Sequence, residues 1–130
     1  MTAVDTNVLT RIITNDDRGQ AARAAAFLQR QDRVFIGKTV LLELDWVLRK
    51  AYRYSPEQVM AAFRELLNTK NVEMEDEPTV LQAMQWCQKG LDFADSLHLA
   101  TAGPARDFVT FDIALHRMAR RVGAGSIVAL

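Results

Sequence analysis

The chain has 130 residues, and its 16 Lys+Arg are matched by 16 Asp+Glu, giving a formal net charge of +0 at pH 7. That length suits a single domain, residues 1–130, with a core that needs no covalent staples, and the one cysteine, Cys87, excludes an intrachain disulfide framework and fits a reducing compartment. Zero net charge argues against tight, sequence-blind binding of bulk nucleic acid, because such binders are usually basic. The longest apolar stretches, Ala24–Leu28 and Val40–Leu42, fall far short of the ~18 residues of a membrane span. Asp5 and Asp16 near the N-terminus, with no basic-then-apolar leader, argue against a signal peptide, so the expected location is the cytoplasm with no membrane partner.

Taken in order, Ala3-Val4-Asp5 reads as a short opening strand, and Asn7 can cap a helix over Val8–Thr14. Residues 18–31 are rich in strong helix formers. Arg33–Ile36 reads as a strand closed by Gly37, and an amphipathic helix runs from Thr39 to about Arg53. Ser55-Pro56-Glu57 supplies an N-cap, a first-position proline and an early acid for a helix reaching about Asn68. Asn71–Met74 is a candidate strand, Glu77–Lys89 a helix stopped by Gly90, and Phe93–Ala102 another ended by Gly103-Pro104. Phe108–Thr110 is a strand, Ile113–Val122 a helix and Ile127-Val128 a last strand. Short strands alternating with helices predict an α/β fold: a three-layer arrangement with a mainly parallel central sheet of four or five strands.

In open parallel sheets ligands bind beyond the carboxyl ends of the strands. Asp5 closes the first strand and Asp112 lies just past Phe108–Thr110, so both are expected at that edge, where each could equally be a helix cap or turn residue. Winding Thr39–Arg53 as a helix puts Val40, Leu44, Val47 and Ala51 on one face, and leaves Glu43 beside Val40, Val47 and Trp46 with no cation at i±3 or i±4. A carboxylate among apolar neighbours is paired, metal-bound or at a solvated edge. Asp45, by contrast, has Arg49 at i+4 and reads as an ordinary surface pair. Trp46 reads as core or interface, with packing favoured, and Val80, Leu81, Ala83, Met84, Trp86 and Cys87 read as core. Asp92 is a good N-cap for the helix from Phe93; Asp95, a turn further on, has only Asp92 and His98 as helical neighbours. Dispersed acids with two histidines and one cysteine suit a hard cation, Mg²⁺ or Mn²⁺, better than zinc. No Walker A loop, G-x-G-x-x-G or nucleophile elbow is present.

Four segments together resemble a known family. Val4-Asp5-Thr6-Asn7-Val8-Leu9 looks like the opening of a PIN-domain nuclease. Glu43 in Leu42-Glu43-Leu44 is similar to its second acid, Asp95 in Phe93-Ala94-Asp95-Ser96-Leu97-His98 to its third, and Asp112 in Thr110-Phe111-Asp112 to its fourth. The order, spacing and full-length coverage most resemble VapC-type toxins of bacterial type II toxin–antitoxin pairs. The resemblance implies a Mg²⁺- or Mn²⁺-dependent endoribonuclease of PIN fold. It further implies an RNA substrate (a transfer RNA or a ribosomal RNA loop), inhibition by a cognate antitoxin, and a homodimer. Carried over, Asp5, Glu43, Asp95 and Asp112 would be the acidic catalytic and metal-binding set, with Asn7 and Thr110 as polar supports and Asp92 as an auxiliary acid at most. Phe111 stands where the family often has a polar or basic residue.

The balanced charge hides an arrangement. Residues 1–54 sum to about +3, 55–95 to about −5 and 96–130 to about +2. Arg11 follows Asp5 on its helix, and Arg117 follows Asp112 on its own, so these two are the expected RNA phosphate contacts, although each could be part of a solvated face. Competing readings are a haloacid-dehalogenase-like phosphatase, from the faint likeness of Asp5-x-Asn7 to its nucleophile motif, a receiver-type signalling module, and a PIN module that binds without cutting. Asn7 in place of a second Asp weakens the phosphatase reading, and the absence of any Lys after Lys89 weakens the receiver.

Overall fold

Strands and helices alternate from the first residues in the computed structural model, which describes residues 1–130. β1 (Thr2–Ala3), α1 (Thr6–Thr14), α2 (Arg18–Gln29), β2 (Val34–Ile36), α3 (Lys38–Ala51), α4 (Pro56–Leu67) and β3 (Val72–Met74) make up the first part. After them come α5 (Glu77–Gln88), α6 (Phe93–Thr101), β4 (Phe108–Thr110), α7 (Ile113–Val122) and β5 (Ile127–Ala129). The fold is α/β and every strand pairing is parallel, as the alternation predicts. The five strands are hydrogen-bonded as three plus two: β1-β2-β3, with Thr2 beside Val34 and Val34 beside Val72, and β4-β5, with Phe108 beside Ile127. The chain forms two compact units, Met1–Glu77 and Pro78–Leu130.

In the first unit the helix boundaries follow from local hydrogen bonds. α1 is capped by Asp5, whose Oδ1 accepts the Thr6 N–H at 2.7 Å, so the helix starts before Asn7 and the expected Asn7 cap is corrected. Asp5 holds the extended backbone that an N-cap needs, while Asn7 lies inside the helix. α1 ends at Asn15 in the left-handed conformation (φ 51°), which asparagine tolerates better than most residues. Asp17 caps α2 through the Gln20 N–H at 3.0 Å. α4 has the full capping box: Ser55 Oγ accepts from Gln58 N–H at 3.1 Å and Gln58 Oε1 accepts from Ser55 N–H at 2.8 Å, with Pro56 first in the helix. α3 begins after Gly37, which has no capping side chain; Glu75, just beyond β3, accepts the Lys38 N–H at 2.8 Å instead.

The packed face of α3 is rotated from the one expected. Leu41, Leu44, Asp45 and Leu48 are buried, whereas Val40, Val47 and Ala51 are not. The rotation is possible because Asp45, only 2 % exposed, meets Arg49 with both arms of the guanidinium, at 3.0 and 2.9 Å. That neutralises a charge that would otherwise resist burial, so the expected surface pair is corrected to a bidentate pair with a buried acid. Trp46 falls on the opposite side and is 59 % exposed, not packed. Around this helix Val34, Ile36, Val59 and Phe63 are fully buried, and α1 packs against both α2 and α3.

The second unit has its own apolar cluster of Leu91, Leu99, Leu115, Ala119 and Val122, against which Trp86, Phe108, Met118 and Ile127 pack. Val80, Ala83, Met84 and Cys87 are buried as expected on α5, but Leu81 is 43 % exposed. Residues one position apart on a helix point about 100° apart, so Leu81 leaves the face that Val80, Ala83, Met84 and Cys87 share. α7 stops at Gly123, whose φ of 75° a side-chain-bearing residue adopts with strain, and the Gly123 N–H closes the helix onto Ala119.

Candidate functional site

In the first unit β1 ends at Ala3, so Asp5 does not close the strand as expected but follows it after Val4, and α3 brings Glu43 to the same place. The two line one cavity of about 300 Å³ together with Asn7, Thr10, Arg11, Val47 and Tyr52. Asp5 is exposed and spends one oxygen on its helix cap. Glu43 is exposed and makes neither a hydrogen bond nor an ion pair, so it occupies a solvated edge rather than an apolar slot. Nothing in the fold of α3 itself uses this carboxylate.

A polar cluster holds the rim. Arg11 donates from Nε to Gln20 Oε1 at 2.5 Å, and its NH1 lies 3.1 Å from Asp16 Oδ1 and 3.2 Å from the Tyr52 hydroxyl oxygen. That hydroxyl donates to Asp16 Oδ2 at 2.6 Å. The Tyr52 hydrogen bond, followed by those from Thr14 and Arg11 and the guanidinium charge, holds the Asp16 carboxyl below its ordinary value; Asp16 in turn raises Arg11 further. Tyr52 and Asp16 are not among the site residues that the sequence predicts. Asp16 follows a helix end and Tyr52 closes another, so their meeting is a tertiary fact that no local spacing signals.

In the second unit the carboxyl end of β4 leads to Asp112, which caps α7 by accepting the Leu115 N–H at 3.0 Å. Thr110 Oγ1 accepts the Asp112 N–H at 2.9 Å and so fixes the turn that presents this acid. Asp92 caps α6, with Oδ2 3.2 Å from the Asp95 N–H. Asp95 is half-buried, and its carboxyl is raised first by desolvation and then by the charges of Asp92 and Asp112, against a smaller pull from His98. The Ser96 hydroxyl beside it is buried without a hydrogen-bond partner. Arg117 is exposed on α7 and makes no hydrogen bond or ion pair.

The structure therefore brings Asp5 together with Glu43, and Asp95 within electrostatic range of Asp92 and Asp112. Within either unit, no group of three or more His, Cys, Asp or Glu side chains stands at metal-holding spacing. The donor chemistry nonetheless fits a hard divalent cation. In each unit the groups are carboxylate oxygens: in the first, Glu43 is unpartnered beside Asp5; in the second, the charged form of Asp95 is disfavoured by desolvation and then by Asp92 and Asp112. No helix is long and apolar enough to cross a membrane.

Each unit thus has parallel strands with an acid shortly after a carboxyl end, Asp5 after β1 in the first and Asp112 after β4 in the second. The PIN domain family model matches residues 2–121, spanning both units, and the chain belongs to the PIN domain family. PIN domains are generally nucleases and typically use divalent metal ions. No curated protein matches the chain significantly.

Proposed function

We propose that this chain is a metal-dependent endoribonuclease acting as the toxin of a type II toxin–antitoxin pair, with residues 1–130 working as one nuclease domain. The observation that carries this reading is a cavity, in a PIN-family chain, that pairs Asp5 with a Glu43 carboxylate serving no structural purpose. Asp5, Glu43, Asp95 and Asp112 are the catalytic carboxylates and would hold Mg²⁺ or Mn²⁺. A divalent cation bound by them supplies positive charge for the phosphoryl oxygens and lowers the pKa of an attacking water.

The remaining roles fall to side chains with visible duties. Asp5 and Asp112 are fixed by their caps, so their second oxygens keep a set direction. Thr110 holds the Asp112 turn, and Asn7 is an exposed polar neighbour of Asp5 in the same cavity. Asp92 serves α6 as its cap and contributes negative charge next to Asp95. Arg11 and Arg117 contact RNA phosphates, Arg11 from a preset position and Arg117 as a free surface cation.

The substrate is RNA, a transfer RNA or a ribosomal RNA loop, and the regulator is a cognate antitoxin; both follow from the family likeness. A homodimer is supported by exposed apolar side chains along and after β4 and β5, among them Phe111, Ile113 and Val109. Induced expression of wild type and Asp5→Asn in a bacterial host, with mapping of RNA ends, tests the reading. Growth arrest with discrete new ends in wild type alone is expected. Unchanged growth and RNA, or the same ends from Asp5→Asn, would overturn it.

A further inference from the structure

Two cavities meet along α1. One holds Asp5 and Glu43; the other, about 480 Å³, lies against α1 and α2, and Asn7 and Arg11 line both. The second has no carboxylate in its wall, and its volume falls in the range of small-molecule pockets, about 300–1,000 Å³. Arg23 and Phe27 stand one helical turn apart on α2 and both line it. The Phe27 side chain is partly open, the residue being 37 % exposed. Arg11 is engaged by Asp16, whereas Arg23 makes no hydrogen bond or ion pair and is the free cation of this cavity.

We infer that this second cavity is a subsite for one nucleotide of single-stranded RNA, adjacent to the nucleotide whose phosphate meets Asp5 and Glu43. Phe27 stacks on the base and Arg23 takes its phosphate. An aromatic face inside a pocket is reachable by an unstacked base and not by a base pair within a duplex. The apolar share of the wall is one aromatic ring, Phe27, with the smaller Val8 and Ala24, which matches the single flat face of one base. Continuity through Asn7 and Arg11 gives the strand a path from one cavity to the other. The inference rests on the nuclease reading for its substrate class.

The test measures binding of labelled single-stranded RNA octamers by anisotropy in EDTA, and steady-state cleavage in Mg²⁺. It compares wild type, Phe27→Ala, Phe27→Tyr and Arg23→Ala at matched melting temperature. Phe27→Ala is expected to weaken binding and raise KM about fivefold or more with kcat unchanged, and Phe27→Tyr to restore both. Removing one base from the octamer should cost wild type a similar factor and cost Phe27→Ala nothing further. Arg23→Ala should weaken binding and flatten its salt dependence. Unchanged affinity and KM in Phe27→Ala would overturn the subsite while leaving the nuclease reading intact. A wild type that binds RNA through Phe27 yet cuts none in any metal would keep the subsite and overturn the nuclease reading. A wild type that binds no single-stranded RNA, but holds an acidic helical peptide through Phe27 and Arg23, would overturn the subsite in favour of a protein partner.

Discussion

Asp16 holds Arg11 in place: its Oδ1 stands 3.1 Å from the guanidinium NH1, at the rim of the cavity that Asp5 and Glu43 line. With side chains 31 % and 41 % exposed, the pair adds little to stability, and its effect is to set where the guanidinium points. Arg11→Ala is expected to lower kcat/KM for RNA about tenfold, the worth of one charge-assisted hydrogen bond. Mg²⁺ affinity by calorimetry should be unchanged. Equal cleavage by the variant would remove Arg11 from the substrate contacts.

Asp5 and Asp112 each combine a helix cap with a candidate metal ligand, and asparagine separates the two duties. Asn caps about as well as Asp, whereas Ala costs ~1 kcal/mol. Asp5→Asn and Asp112→Asn should therefore melt near wild type and lose at least about a hundredfold in cleavage, because the ligand charge is gone. Asp5→Ala and Asp112→Ala should lose stability as well as activity. Thermal melts and cleavage rates on the same preparations check this.

Asp95 gives the metal-free protein a pH signature. Its carboxyl is raised in the fold by desolvation and by Asp92 and Asp112, so the folded chain binds this proton more tightly than the unfolded one. The resulting stabilisation is fully present below the unfolded value and is lost as pH rises through the raised folded value. In EDTA, Asp95→Asn should flatten this acid-range dependence. It should also raise Tm at neutral pH by roughly 1–2 °C, kept small by the screening of a part-exposed carboxyl. A steeper dependence in the variant would contradict the assignment.

Much of this layout is legible in the chain itself where local chemistry decides. β4 and α7 have the bounds that Phe108–Thr110 and Ile113–Val122 predict, and the Ser55–Gln58 capping box makes the start of α4 plain. Asp112 also lies just past β4 as the alternation predicts, while Asp5 follows β1 after Val4 and does not close it. What escapes is tertiary. Asp5 rather than Asn7 caps α1, because backbone conformation at the strand exit, not residue type, chooses between two good caps. Nothing near Tyr52 in the sequence announces Asp16, and the Ser96 hydroxyl, buried without a partner, has no sequence signal at all. The face of α3 is misplaced for one reason: a carboxylate with an arginine at i+4 reads as solvated, yet the two-armed pairing lets Asp45 go inside and turns Trp46 outward.

That pair yields a stability prediction. Asp45 is buried while Arg49 keeps partial access to water, its side chain 24 % exposed. Arg49→Ala should therefore destabilise more than Asp45→Ala, since it leaves the buried member uncompensated, by about 2–4 kcal/mol against roughly half that. Arg49→Lys should recover only part, because an ammonium cannot reproduce the two-armed contact. Urea denaturation of the three variants measures the order, and a larger loss in Asp45→Ala would contradict it.

A metal-dependent ribonuclease built on Asp5 and its companion acids must, as purified protein, cut a single-stranded RNA in a way that depends on both the metal and Asp5. The reaction is run in Mg²⁺, in EDTA, and after Mg²⁺ or Mn²⁺ is restored, with wild type and Asp5→Asn side by side. Discrete cuts by wild type in Mg²⁺ are expected, with none in EDTA, recovery on restoring the metal, and at least about a hundredfold less cleavage by Asp5→Asn. Cleavage indifferent to EDTA, or an Asp5→Asn protein that cuts as fast as wild type, would contradict it.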